Sequence, residues 1–417
     1  MKKAIVLAML LMTGIAVFGQ TLTVLSVGPT KIGNTTDFAY AEEQLKKDFP
    51  NVKVKVLQID LSDGSSLTMD AMLAAGNVPN IYYDSMVRAS KYMVDGFALP
   101  LNDVFKDLDK WDATTLKMYT KNGKVLGLPG LGSAQGMCIN LDIMDEIGYK
   151  VPDNWTVDDF LKMAELVKQK YKGKKWATGM FAANQSGDYL INGWYATFGV
   201  KWYENGDYDT ALVAKNGGEK VYAFYQTLVK NEYVPPNAAT LCDDDYVMQW
   251  ASGQLAATAF FPHWMASYWE SAIKQGIITK PFRVKYVPFP RATGVDKVPT
   301  YFNGNVAVIH KTGTDIDKVA VKFLEYLYSP KVFETAIKEI GVFSVRTDIT
   351  AKPQLAETQQ VIDIMAKNGL QDVGLTDSRF TERRAMQFPI LQQVLTFKLT
   401  PKEAIEKFEK ALSSVKK

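Results

Sequence analysis

Two thiols, Cys138 and Cys242, and two imidazoles, His263 and His310, are the softest reactive groups in the chain. They are too few and too scattered for a recognisable zinc site. No nucleophile elbow, HExxH or phosphate loop occurs. Acidic residues number 45, so a pair of carboxylates placed for glycoside hydrolysis is compatible with composition. The one Arg doublet, Arg383-Arg384, is the sort of feature a phosphate would want, and it reads as part of a helix face. More abundant are aromatic rings, with 8 Trp and 20 Tyr. Rings beside amides and carboxylates stack and hydrogen-bond; they do not break bonds. Trp264 in Phe260-Phe261-Pro262-His263-Trp264, the pair Trp194-Tyr195, and Asp84 closing an apolar strand are the clearest such positions.

Those positions need elements to hold them. Thr21 to Val27 alternates as a strand, a helix pattern runs from Asp37 to Phe49, and Val52, Val54 and Val56 alternate with lysines in a second strand. A helix through Leu67 to Ala75 precedes a strand from Asn80 to Asp84. Strands alternating with helices predict βαβ units and a mostly parallel sheet. Thr156 caps a predicted helix whose Phe160, Met163, Ala164 and Val167 fall on one face, with Asp159 in its first turn. Ala320, Phe323, Leu324 and Leu327 repeat that spacing, Val306 and Val308 mark a further strand, and a lysine-rich helix follows Thr400. Trp155, Trp176 and Trp202 read as structural. No polar linker separates the halves, as expected of lobes joined by several short crossings.

The N-terminus has the layout of a secretory signal: Lys2 and Lys3, an uncharged run from Ala4 to Phe18, then Val17 and Gly19 at −3 and −1 of the cut. The run is shorter than the about 20 residues a spanning helix needs. Gln20 stands where a lipoprotein would carry its acceptor Cys, so a soluble periplasmic protein is expected. Net charge is +3, and removing Lys2 and Lys3 leaves +1. Such near-neutrality gives no drive toward nucleic acid. Export permits a Cys138–Cys242 disulfide, but the spacing does not select one; Cys138 reads as a buried strand thiol.

Several stretches resemble one family. Leu73 to Asp84 (LAAGNVPNIYYD) is similar to its small-residue turn leading into a strand that ends in Asp. Gly123 to Asn140 (GKVLGLPGLGSAQGMCIN) resembles its Gly-Leu-Pro crossing and the strand beyond. Val151 to Thr156, the Glu-Asn-Gly segment within Phe198 to Asp209, Trp250 to Trp264, Val287 to Pro290, Asn303-Gly304-Asn305 and Gly341 to Arg346 follow in matching order. The chain resembles the extracellular solute-binding proteins of family 1, the group that includes maltose-binding protein.

That resemblance implies an α/β, two-lobed periplasmic-binding-protein fold of type II. Each lobe would be a mostly parallel sheet flanked by helices, with the ligand cleft between. Residues 1–19 would be the signal, 21–131 plus 303–345 the N-terminal lobe, and 132–302 plus 346–417 the C-terminal lobe. It implies a monomeric, non-enzymatic component of an ABC importer, without cofactor, delivering a carbohydrate to a membrane permease by hinge closure. A secreted carbohydrate-active enzyme, or the same role for a phosphorylated polyol, a peptide or a polyamine, stays open.

A sugar's C–H faces stack on rings while its hydroxyls need donors and acceptors. Trp264 is therefore expected as a platform, with Trp194 and Tyr195 as second candidates between contact and packing. Asp84 is expected to accept hydroxyls, since open sheets place ligands at strand ends; capping a helix is its other possible role. Lys31, Asn34 and Asp37 offer themselves from the loop after the first strand. Ser133 and Gln135 lie past one crossing, and Tyr301, Asn303 and Asn305 lie at another. Arg346 and Arg379 are candidates too, with a surface salt bridge as the plainer role for each.

Overall fold

The computed structural model describes residues 20–27, 37–59, 64–204, 206–340 and 342–415. The expected signal segment, Lys31 and Asn34 lie outside these residues. Ten strands are present among them: β1 Thr21–Val27, β2 Lys53–Ile59, β3 Ile81–Ser85, β4 Thr120–Lys121, β5 Lys124–Val125, β6 Leu128–Ala134, β7 Gly136–Asn140, β8 Ala257–Phe260, β9 Val284–Val287 and β10 Phe302–Ile309.

Five of them form the first sheet in the order β2-β1-β3-β10-β6. β1 runs parallel to β2 and to β3, as the alternation of strands and helices predicts. β10 is antiparallel to both β3 and β6. The outer strand β2 places Lys53 and Lys55 in solvent, which discourages edge-to-edge pairing. The helices Asp37–Asp48 and Asp315–Leu327 pack together against this sheet. The apolar face of the second helix, including Ala320, Phe323, Leu324 and Leu327, is buried.

The second sheet has the order β8-β7-β9. Both its pairings are antiparallel, where a mostly parallel sheet was expected. β7 leaves the crossing, whereas β8 and β9 come back toward it: Phe260 sits opposite Gly136 and Val287 opposite Met137. Strands that return to the same edge must run against the one that departs.

Helix ends behave as the residue types dictate. Thr156 caps Val157–Tyr171 through a reciprocal pair in which its hydroxyl accepts from Asp159 N–H and Asp159 accepts from Thr156 N–H. Trp155 is buried and its indole N–H donates to the Pro288 carbonyl at 2.7 Å, a structural role. Thr400 caps Pro401–Ser414 in the same reciprocal manner. Cys138 is buried and Cys242 is not; both are free thiols. No helix of the described residues is long and apolar enough to cross a membrane.

Candidate ligand cleft

The first sheet leads into the second body at Gln135, whose N–H donates to the Tyr301 carbonyl at 3.0 Å. Tyr301 immediately precedes β10 on the return. Around these two crossings the structure gathers most of the cleft candidates.

On the first-sheet side, β3 ends in Asp84 and Ser85, and the short helix Met86–Ala89 follows. Asp84 is buried, and its carboxylate is already occupied. Tyr82 Oη donates to it at 2.5 Å, as does the Ser85 N–H. Arg88 donates from Nε at 2.8 and 3.0 Å and from Nη2 at 2.7 Å. The i, i+4 spacing makes this fork possible. Burial works against the Arg88 charge, and Asp84 more than offsets it. Asp84 therefore positions Arg88. Burial and the neighbouring Asp84 push the Tyr82 hydroxyl far up, so it stays a donor. Along β10, Asn305 lies opposite Ser85 and donates from Nδ2 to Tyr83 Oη at 3.2 Å, while Asn303 lies opposite Ser133 on β6.

On the other side, helix Asp188–Thr197 begins with a buried carboxylate. Arg384 donates to Asp188 from Nε at 2.8 Å and from Nη2 at 2.6 Å, and both side chains are about 1% exposed. The Arg384 guanidinium lies 5.1 Å from the Tyr189 ring centroid. Tyr189 meets Trp264 at 6.4 Å, Phe261 at 6.1 Å and Tyr301 at 5.9 Å between centroids, all edge-on. Trp264 is half-buried and braced by Phe260 and Phe261 at 5.6 and 4.8 Å. It sits on the single turn Pro262–Trp264 that follows β8. From the same turn, His263 Nδ1 meets Ser133 Oγ of the first sheet at 2.7 Å. Burial pushes the His263 imidazole down to about 4, so it is neutral at physiological pH.

Three buried polar atoms at the crossings have no hydrogen-bond partner among the described residues: Gln135 Oε1, Tyr301 Oη and Asn303 Oδ1. Each such group costs about 1–3 kcal/mol until something satisfies it. Thr381, on helix Phe380–Ala385, donates to the Val87 carbonyl at 2.7 Å. This bond joins the second body to the helix that carries Arg88.

Other candidates are placed elsewhere. Trp194 is buried with Phe224, Phe160 and Phe289 at 4.6, 5.2 and 5.9 Å. Tyr195 is wholly buried against Trp202, and its hydroxyl accepts from Gln387. Both belong to the core of the second body, on the face of the helix opposite the one that presents Tyr189. Arg346 is buried, not a surface group: it pairs with Asp348, donates to the Tyr328 carbonyl and stacks on Trp111 at 4.6 Å. Arg379 is likewise buried and engaged by Asp377 and Asp209. Asp37 opens the first helix. A separate hollow of about 320 Å³, lined by Thr156, Phe198, Lys220 and Arg291 among others, shares no residue with the cleft.

Sequence reasoning missed Tyr189, Arg88, Asp188 and Arg384, and gave His263 no role beyond failing as a zinc ligand. Arg88 was findable from its spacing to Asp84. The Arg383-Arg384 doublet was noticed, but it is buried, and its partner Asp188 is far away in sequence.

Two α/β bodies joined by crossings, with Tyr189, Trp264, Arg88 and Arg384 gathered beside those crossings, have the architecture of the two-lobed type II periplasmic binding proteins. The chain belongs to the bacterial extracellular solute-binding protein family, whose model matches residues 41–362. A stretch of 145 residues is 30% identical to an arabinooligosaccharide-binding protein of Bacillus subtilis (strain 168), covering 33% of this chain and 32% of that relative. The chain thus spans about a third of the length of that curated relative. Among solved structures, a chitin oligosaccharide binding protein superposes with TM-score 0.78 at 20% identity, covering 94% of this chain and 98% of that one. A solute-binding protein from Thermotoga lettingae TMO bound with α-D-tagatose gives 0.76 at 20% identity, with 94% and 99% coverage. Maltose-bound T. maritima MalE3 gives 0.74 at 19%, with 94% and 98%. At these identities the structures speak to the fold.

Proposed function

We propose that this protein is the exported substrate-binding component of an ABC importer and that it takes a neutral carbohydrate, an oligosaccharide, between its lobes. The N-terminal lobe would comprise roughly 21–134, past the expected boundary at 131 because β6 runs on to Ala134, and 302–348, because Arg346 stacks on Trp111 and the Thr347 N–H donates to the Lys110 carbonyl. The other would comprise 136–300 and 349–417, so that the crossings fall at Gln135, at Tyr301 and after Asp348. The observation that carries the reading is the Tyr189–Trp264 aromatic corner, flanked by two arginines, Arg88 and Arg384, each held by its own aspartate. Rings give a sugar its stacking surface, and held guanidiniums give its hydroxyls donors. Each buried arginine is matched by one buried carboxylate, so the pairs leave no net charge for an anionic ligand to neutralise. The same pairing leaves neither Asp84 nor Asp188 free to serve as a glycosidase acid, which favours capture over turnover. The unpaired atoms of Gln135, Tyr301 and Asn303 would gain partners from ligand hydroxyls when the gap opens and refills. The relatives named above, which carry sugars in their names or sites, support this ligand class.

The test is a thermal-shift and calorimetric panel of arabino-, malto- and chito-oligosaccharides, with phosphorylated polyols, peptides and polyamines as rivals. A sugar at ten times its Kd adds about 1.4 kcal/mol of stability and is recovered unchanged. Stabilisation only by a charged rival, or hydrolysis of the sugar, contradicts the reading.

A further inference from the structure

Ser133 belongs to β6 of the first sheet, and His263 to the turn after β8 of the second. Their 2.7 Å hydrogen bond therefore spans the gap between the two bodies. Nδ1 is used in this bond. Nε2 meets no hydrogen-bonding group of the described residues and is not among the buried unpaired atoms. The ring lies 5.6 Å from Trp264 and 5.7 Å from Phe261 between centroids, beside the proposed platform.

A neutral imidazole has one donor and one acceptor nitrogen, and the bond made by one fixes the other. Ser133 is buried, and its Oγ makes this one side-chain bond. If Nδ1–H donated to Oγ, the serine proton would have no acceptor among the described residues. If Ser133 donates to Nδ1, only a lone pair goes unused, which costs less. Resting on the proposed function above, we infer that Ser133 locks His263 as the Nε2–H tautomer, and that His263 reads the ligand by donating this hydrogen to a sugar oxygen beside Trp264. The residue is then a filter. It accepts hydroxyl, ring or glycosidic oxygens and rejects an ammonium, which would bring a donor to a donor.

The chain has only two histidines, so ¹⁵N-histidine labelling of the full exported protein, with His310→Gln for assignment, gives a resolved two-bond ¹H–¹⁵N spectrum. At pH 7 the spectrum should show His263 as a single Nε2–H tautomer, and Ser133→Ala should turn it into a mixture. Saturating with the panel sugar that binds should move Nε2 and leave Nδ1 in place. Ser133→Ala should weaken binding about fivefold, the value of one neutral hydrogen bond. His263→Gln, which keeps an N–H near the Nε2 position, should bind within about threefold of the native protein, whereas His263→Asn should lose about tenfold or more. An Nδ1–H tautomer, or an unmoved Nε2 resonance with a sugar bound, overturns the assignment alone. Failure of every sugar in the panel to bind defeats the proposed function and the assignment with it.

Discussion

Tyr189 is the residue on which the cleft converges, because its ring touches Arg384, Trp264, Phe261 and Tyr301. Replacing it by Ala removes the stacking surface and leaves Arg384 facing a void. Calorimetry should show binding of the cognate sugar weakened at least tenfold, while Tyr189→Phe keeps most of it. His263 supplies a second prediction at this scale. Burial holds its folded value at about 4, below the usual 6.5. Between those values the unfolded chain binds more protons than the folded one. The contribution is complete above pH 6.5 and is lost as pH falls toward 4. Melting temperatures of the native protein and His263→Gln, measured from pH 7.5 to 4.5, should therefore diverge, with the native protein falling more steeply. Trp264 and Ser133 stand out in the sequence because their neighbours mark them, and the structure places both beside the crossings. Tyr189 does not stand out, because a tyrosine inside an apolar helix looks the same whether it faces a core or a cleft. For Trp194 and Tyr195 the sequence leaves contact and packing open, and the structure buries both among Phe160, Phe224, Phe289 and Trp202.

At the level of elements, helix starts were the most readable feature, since capping is a local matter of residue type. Thr156 and Asp159 satisfy each other's backbone N–H groups as their spacing predicts. Thr156→Ala should cost about 1 kcal/mol, seen as a lower urea midpoint at unchanged m-value. This helix does not line the cleft, so sugar affinity should be unaltered. The first two strands were equally legible from alternation, and the third from its apolar run after Gly76-Asn77-Val78-Pro79. The second sheet was not: its central strand β7 lies over a hundred residues before both of its partners, and nothing local tells a strand which way its partner runs. The antiparallel result has a functional side. Because β8 returns to the crossing, the turn carrying His263 and Trp264 emerges next to Ser133 of the other lobe.

At the scale of the whole molecule, two side-chain hydrogen bonds join the bodies away from the crossings: Ser133 to His263, and Thr381 to the Val87 carbonyl. Each is worth about 1 kcal/mol, too little to fix one state. Moving such a hinge from 1:99 to 99:1 requires a ligand that prefers the closed form by about 5.5 kcal/mol. A sugar reaching both arginine–aspartate pairs and the unpaired atoms at the crossings has that scope. Small-angle X-ray scattering of the protein, titrated with the oligosaccharide selected by thermal shift, tests this most directly. The radius of gyration should fall in proportion to calorimetric occupancy, and Tyr189→Ala should require proportionally more sugar for the same fall. A radius unchanged at full occupancy, or a sugar bound with undiminished affinity by Tyr189→Ala, would contradict capture between the lobes.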